Sequence, residues 1–260
     1  MRAQQRFGVI VLGLALAAGM AIPGGAARAA FLVSPSNLAT VEGDSNNGFP
    51  FNIQNFGLTA MRYQQVYASS EFTSAGPSLL ISGIWFRPDT GSGAAYSSTL
   101  PNVEIDLSTT SAAPGGLNTN FNSNVGANDT TVFNGALSTS SSFTGPANGP
   151  KNFDIHIVFT TPFTYTPGNG NLLLQVRNSG GGLTTQFDAD IANHDNLGSR
   201  VYATDNNVNS TSGTADSSVL VTQFDVGPAA TAAVPEPASL TLLGLGALGL
   251  AVGYRRRRAA

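Results

Sequence analysis

In the stretch VEIDLS, Val103, Ile105 and Leu107 alternate with Glu104, Asp106 and Ser108, and in FDIHIVF the apolar residues Phe153, Ile155, Ile157 and Phe159 again fall at every second position. A strand sends successive side chains to opposite faces, so this period predicts one buried and one wetted face. A helix would need apolar residues every three to four positions. Runs with strand character continue at 62–68, 79–86, 130–137, 163–167, 171–178, 184–189, 199–204 and 219–226, with Gly, Pro and Asn between them. Many short strands and almost no helical periodicity predict an all-β chain: two packed antiparallel sheets, a β-sandwich of jelly-roll type. The interval 108–150 is the least regular and has no Lys or Arg. It is expected to make excursions around one or two edge strands, with a ligand-binding edge as the other reading.

The two ends differ in kind from this body. The start, MRAQQRFGVIVLGLALAAGMAIPGGAARAA, sets Arg2 and Arg6 before an apolar run from Phe7 to Ile22, a Pro23-Gly24-Gly25 break, and small residues at Ala27 and Ala29. That order predicts a secretory signal peptide over 1–29, because the apolar run is short and a small-residue cleavage site follows it. Without leader and tail, about 200 residues remain, enough for one substantial core. In this body Arg62, Arg87, Lys151, Arg177 and Arg200 stand against fourteen of the chain's 15 carboxylates, a net charge of −9. Such a surface does not suit nucleic acid or anionic lipid. The chain has no cysteine, which excludes thiol catalysis and thiolate metal sites.

The segment 227–233, GPAATAA, has lost strand character and is expected to be a linker. Behind it the chain reads VPEPASLTLLGLGALGLAVGYRRRRAA. The uncharged stretch 238–254 would run about 25 Å as a helix at ~1.5 Å per residue, enough to span a hydrocarbon core of ~30 Å with local thinning. Arg255, Arg256, Arg257 and Arg258 then act as a stop and keep the carboxyl terminus cytoplasmic, with the body outside. Pro235 and Pro237 hold the peptide extended around Glu236, a form that a processing enzyme can read.

These three ordered parts resemble the PEP-CTERM sorting signal of Gram-negative bacteria, which a membrane protease-transferase, exosortase, recognises. The resemblance implies that Val234, Pro235, Glu236 and Pro237 are the recognition element, 238–254 the membrane segment and the four arginines the cytoplasmic stop. It implies export through the secretion machinery and an inner-membrane anchor with the body periplasmic. After processing, it implies a place at the cell surface or in an extracellular matrix of polysaccharide and biofilm material. The segments RYQQVYASSEF, GIWFRPD and NLLLQVRN are similar to bodies found on other proteins of this kind, whose activity is unassigned.

No G-x-S-x-G elbow, H-E-x-x-H pair or phosphate-binding glycine loop occurs, so no catalytic residue is assigned. His156 shares an outward strand face with Asp154, and His194 lies beside Asp195 in a polar loop. Asp188, Asp190, Asp195 and Asp205 cluster in sequence. They could hold calcium through hard oxygen ligands, although the EF-hand order is absent; the alternative is a solvated strand and loop surface. No other cofactor is indicated. Tyr63, Tyr67, Trp85, Phe86, Tyr96, Tyr165 and Tyr202 could stack on sugar rings. Singly each reads first as core: Trp85 lies inside the apolar run LLISGIWF, and Tyr63 and Tyr67 share one face. Arg62 and Arg87 sit among apolar and aromatic residues, so each charge must reach a carboxylate, a ligand or solvent. An ion pair with Glu71, Asp89 or Glu104 is expected first. The leading functional reading is a non-enzymatic, exported envelope or matrix protein that recognises polysaccharide. The others are a polysaccharide-acting hydrolase or lyase using Asp or Glu, and a purely structural matrix protein.

Overall fold

The computed structural model describes residues 30–192, 196–229 and Tyr254. The expected signal peptide, the loop with His194 and Asp195, and the tail from 230 onward apart from Tyr254 lie outside the described residues. Among the described residues no helix is long and apolar enough to cross a membrane.

Strands make up 48 % of the structure, so the mostly-β class expected from the alternation holds, and between residues 30 and 229 the described helix consists of short 3₁₀ turns. The strands are β1 (Ala30–Ser34), β2 (Ser45–Asn47), β3 (Ala60–Tyr67), β4 (Leu79–Phe86), β5 (Tyr96–Thr110), β6 (Thr130–Ser141), β7 (Ile155–Tyr165), β8 (Asn171–Ser179), β9 (Phe187–Asp190), β10 (Gly198–Ala203), β11 (Thr214–Asp216), β12 (Val219–Leu220) and β13 (Thr222–Pro228). All pair antiparallel. One sheet runs β1-β13-β4-β7, a second runs β11-β10-β3-β8-β5-β6, and a small third runs β12-β9-β2.

The alternating residues of the first two sheets meet in one core. Ile81, Ile84 and Phe86 of β4, Ile155 and Ile157 of β7 and Phe224 of β13 pack with Tyr63 and Tyr67 of β3, Val103, Ile105 and Leu107 of β5 and Leu174 and Val176 of β8. A 3₁₀ turn over Ser69–Ala75 drops Phe72 into this core. Its ring meets Tyr165 and Phe224 edge-on, each at 5.1 Å, and Phe224 in turn meets Tyr67 at 5.0 Å. Edge-to-face pairs add about 0.5–1.5 kcal/mol to the burial of the rings themselves. Phe72→Ala is therefore expected to cost about 3–5 kcal/mol, read as a lower urea midpoint with an unchanged slope.

The irregular interval does more than skirt an edge. Leu117 and Phe121, in the connection between β5 and β6, lie across the outer face of the second sheet and bury Val66, Leu173, Val201 and Ala203. The physical reason is that β3 and β8 carry apolar side chains on both faces, so a solvated outer face would leave Val66 and Leu173 wet. At the other end, β13 runs on through Gly227 and Pro228, which pair with Leu80 and Leu79. The first two residues of the expected linker thus belong to the sheet, since ladder bonds are made by backbone and need no bulky side chain.

Strand β4 breaks strict alternation. Against β13, Asp225 pairs with Gly83 and Val226 with Ile81, which leaves Ser82 as an extra residue. One extra residue reverses the side on which every later side chain falls. Ile81 and Ile84 therefore both enter the core, and Trp85, between fully buried Ile84 and Phe86, turns to the outer face. The first reading of Trp85 as core is overturned by this bulge.

Candidate functional site

On the outer face of the first sheet, Trp85 pairs with Gln223 of β13 on one side and with His156 of β7 on the other. The imidazole lies flat against the indole, with ring centroids 3.5 Å apart and planes 4° from parallel. Asp225 holds both rings. Its Oδ1 accepts the indole N–H at 2.8 Å, and its Oδ2 lies 2.9 Å from His156 Nε2. Gly83 is what makes room for this carboxylate: a Cβ there would stand 2.6 Å from Asp225 Oδ2 and 3.0 Å from His156 Nε2. Phe31 of β1, 65 % exposed, sets its ring at 87° to the indole with centroids 6.3 Å apart.

An open groove of about 500 Å³ runs beside these rings, lined in part by Phe31, Trp85, Lys151, Asn152, Phe153 and Gln223. His156 is not among its walls, so the groove lies on the side of the indole away from the imidazole. A rigid aromatic surface flanked by the amides of Asn152 and Gln223 suits a flat ligand with an apolar face and a hydroxyl rim. The cations nearby are part of the wall. Lys151 Nζ donates to the Pro146 carbonyl at 2.9 Å and sits 4.9 Å from the centre of the Phe143 ring. The Arg87 guanidinium lies 4.8 Å from the centre of the Phe153 ring.

Arg87 is only 1 % exposed. Its Nε donates to Asp188 Oδ2 at 2.6 Å, and one Nη donates to the carbonyls of Leu38 at 2.8 Å and Val41 at 2.6 Å. Its carboxylate partner is thus Asp188, not Glu71, Asp89 or Glu104. Those three face elsewhere for a partner or bond locally: Glu71 accepts from Ser36, Glu104 from Arg177, and Asp89 from Gly91 and Ser92. Arg62, also buried, has no ion pair of the expected kind. It donates to Gln175 Oε1, the Ser210 carbonyl and Asn122 Oδ1 and stacks over Phe121. Burial, with Arg177 nearby, lowers its pKa to about 10. Arg62 is thus spent on internal partners, and Arg87, fixed by Asp188 and by carbonyls, borders the groove as part of its wall.

Tyr63 and Tyr67 are fully buried as well. Their hydroxyls are used internally, at Gln65 Oε1 and Thr222 Oγ1, and burial pushes both phenols up. They pack the core and cannot stack on a sugar. Of the sequence-derived aromatic set, Trp85 is the one that reaches the groove, joined by Phe31 and Phe153. Those two, like His156 and Asp225, carry no binding motif in the sequence. The outward period of His156 in FDIHIVF and of Asp225 in TQFDV was the available signal.

The carboxylates expected to share calcium are divided. Asp205 accepts from Ser210 Oγ and the Asn207 N–H in its own turn, and Asp190 Oδ1 accepts the Asp44 N–H. Asp195 lies outside the described residues. Asp188 instead gathers with Glu42 and Asp89, with one carboxylate oxygen of each within 4.8 Å of the others. Burial raises the Asp188 carboxyl to about 7 against the pull of Arg87, and Glu42 adds to the rise.

Residues 233–258 match the PEP-CTERM protein-sorting motif. No curated protein and no solved structure matches the chain. The motif implies an exported precursor, anchored in the membrane before processing, and exosortase as its processing enzyme.

Proposed function

We propose that this exosortase-sorted chain delivers a β-sandwich of jelly-roll type to the cell surface or extracellular matrix, where its Trp85 face binds a neutral polysaccharide without cleaving it. The strand order supports the jelly-roll reading. With β2 and β9 to β12 set aside, β1-β13-β4-β7 stands against β3-β8-β5-β6. The first strand then neighbours the last, and β3, β4 and β5 change sheets at each step, as two interleaved Greek keys require.

The binding reading rests on one observation: an indole turned outward by a bulge and held flat by His156 and Asp225 at the edge of an open groove. A rigid aromatic loses little conformational freedom on binding, so it suits a weak, repeated contact such as a polysaccharide chain. The body's negative charge favours neutral over acidic glycans.

A glycan array, paired with an assay for release of reducing ends, tests this. The wild type is expected to bind a neutral polysaccharide with no turnover, and Trp85→Ala to bind at least about tenfold more weakly, the equivalent of ~1.4 kcal/mol. Equal binding by the variant would remove Trp85 from the account. Release of reducing ends would replace binding by hydrolysis or elimination, and no binding to any glycan would leave a structural matrix protein.

A further inference from the structure

We infer that Glu42, Asp89 and Asp188 form a calcium site beside the groove. The three side chains come from separate parts of the chain, and backbone bonds bring them together. Beyond β4 the chain keeps pairing with β9: the Asp188 N–H donates to the Arg87 carbonyl and the Asp89 N–H to the Gln186 carbonyl, each at 3.0 Å. This sets Asp89 and Asp188 at the end of one short ladder. The segment carrying Glu42 is tied to both. Thr90 N–H donates to Glu42 Oε1 at 2.6 Å, and Gly43 N–H donates to Asp188 Oδ1 at 2.9 Å. Gly43 has no room for a side chain, since a Cβ there would strike the Ala189 carbonyl and approach Asp188 Oδ1 to 2.9 Å.

Distance, charge and an unmet oxygen point the same way. Two oxygens that share one calcium at ~2.4 Å each can stand no more than about 4.8 Å apart, and one oxygen from each carboxylate meets that limit. Asp89 and Asp188 are 8 % and 1 % exposed. Arg87 neutralises one of the three negative charges through Asp188, and a divalent cation would balance the other two. Independently of the clustering, Glu42 Oε2 is enclosed by the protein and has no hydrogen-bond partner. A buried anionic oxygen with nothing to accept from is costly and calls for an ion or a water. The ligands are all hard oxygens, which excludes a preference for zinc or copper, and their placement on three irregular segments suits the variable coordination of calcium better than the strict octahedron of magnesium. Each carboxylate keeps lone pairs for the ion while it accepts its protein donors.

The test uses the purified full-length protein in detergent, freed of metal with chelator, titrated with calcium chloride in a calorimeter and melted with and without the ion. Expected are one calcium per chain and a melting temperature raised by several degrees at saturation, because a ligand bound to the folded state alone stabilises it. Magnesium at the same concentration should shift the melt much less. Glu42→Gln and Asp89→Asn should each weaken calcium binding at least tenfold. Glu42→Gln should also melt no lower than the wild type when both are calcium-free, since it removes one repelling charge. No calcium uptake by the wild type, or uptake unchanged in both variants, would overturn the site. So would a calcium-free Glu42→Gln protein that melts well below the wild type, because Glu42 would then serve a purely structural bond.

Discussion

Arg87→Ala is expected to destabilise the calcium-free body by about 3–5 kcal/mol, the range for breaking one partner of a buried ion pair. The guanidinium is 1 % exposed, and its removal leaves Asp188 Oδ2 and the carbonyls of Leu38 and Val41 without their donor. Asp188 also stands beside Glu42 and Asp89, so the loss of Arg87 leaves like charges facing each other around a carboxylate that is itself buried. The stack over Phe153 in the groove wall goes with it. For a domain of this size each kcal/mol moves the melting temperature by ~2–4 °C, so a fall of roughly 6–20 °C is expected in chelator. Adding Asp188→Asn to Arg87→Ala should restore part of the loss, because the buried charge disappears with its partner. Losses that simply add would show that the two groups do not act as a pair.

The tail carries the other large effect, which is all-or-none. Replacing Pro235, Glu236 and Pro237 together by alanine is expected to leave the protein in the inner membrane with its tail intact in a host that processes the wild type. Each proline lacks a backbone donor and keeps its predecessor extended, and alanine is about 3 kcal/mol more favourable than proline inside a helix. The substitution would let helix propagate upward from Ala238 and draw the recognition element into it. Arg255 to Arg258 are unchanged in this variant, and with the stop expected of such a cluster kept, the variant should insert normally and fail only at processing. Fractionation with an antibody against the body reads this. A variant released as fully as the wild type would show that the match at 233–258 does not act through these three residues.

What could be read from the sequence follows from how local the causes are. Val103, Ile105 and Leu107 declare a strand within six residues, and all three reach the core as the period requires. The facing of Trp85 depends on Ser82 as an extra residue opposite β13, a fact about pairing that no window on β4 alone contains. The spacing of Tyr63 and Tyr67 puts them on one face of β3, but whether that face is wet depends on the sheet packed against it. The calcium ligands illustrate the same limit. Asp188, Asp190 and Asp205 are neighbours in sequence and are held by different partners, whereas Glu42, Asp89 and Asp188 are distant in sequence and meet through the ladder between 87–89 and 186–188. The sorting motif is legible because its residues, 233–258, follow one another in the sequence.

The most direct measurement is the intact mass of the wild-type protein purified from two hosts, one with the cognate exosortase and one without it. With the enzyme, the mass should lack the residues beyond the 234–237 element and the protein should leave the inner membrane. Without it, the mass should run to Ala260 and the protein should remain membrane-bound. A tail retained to Ala260 in both hosts would contradict the sorting account.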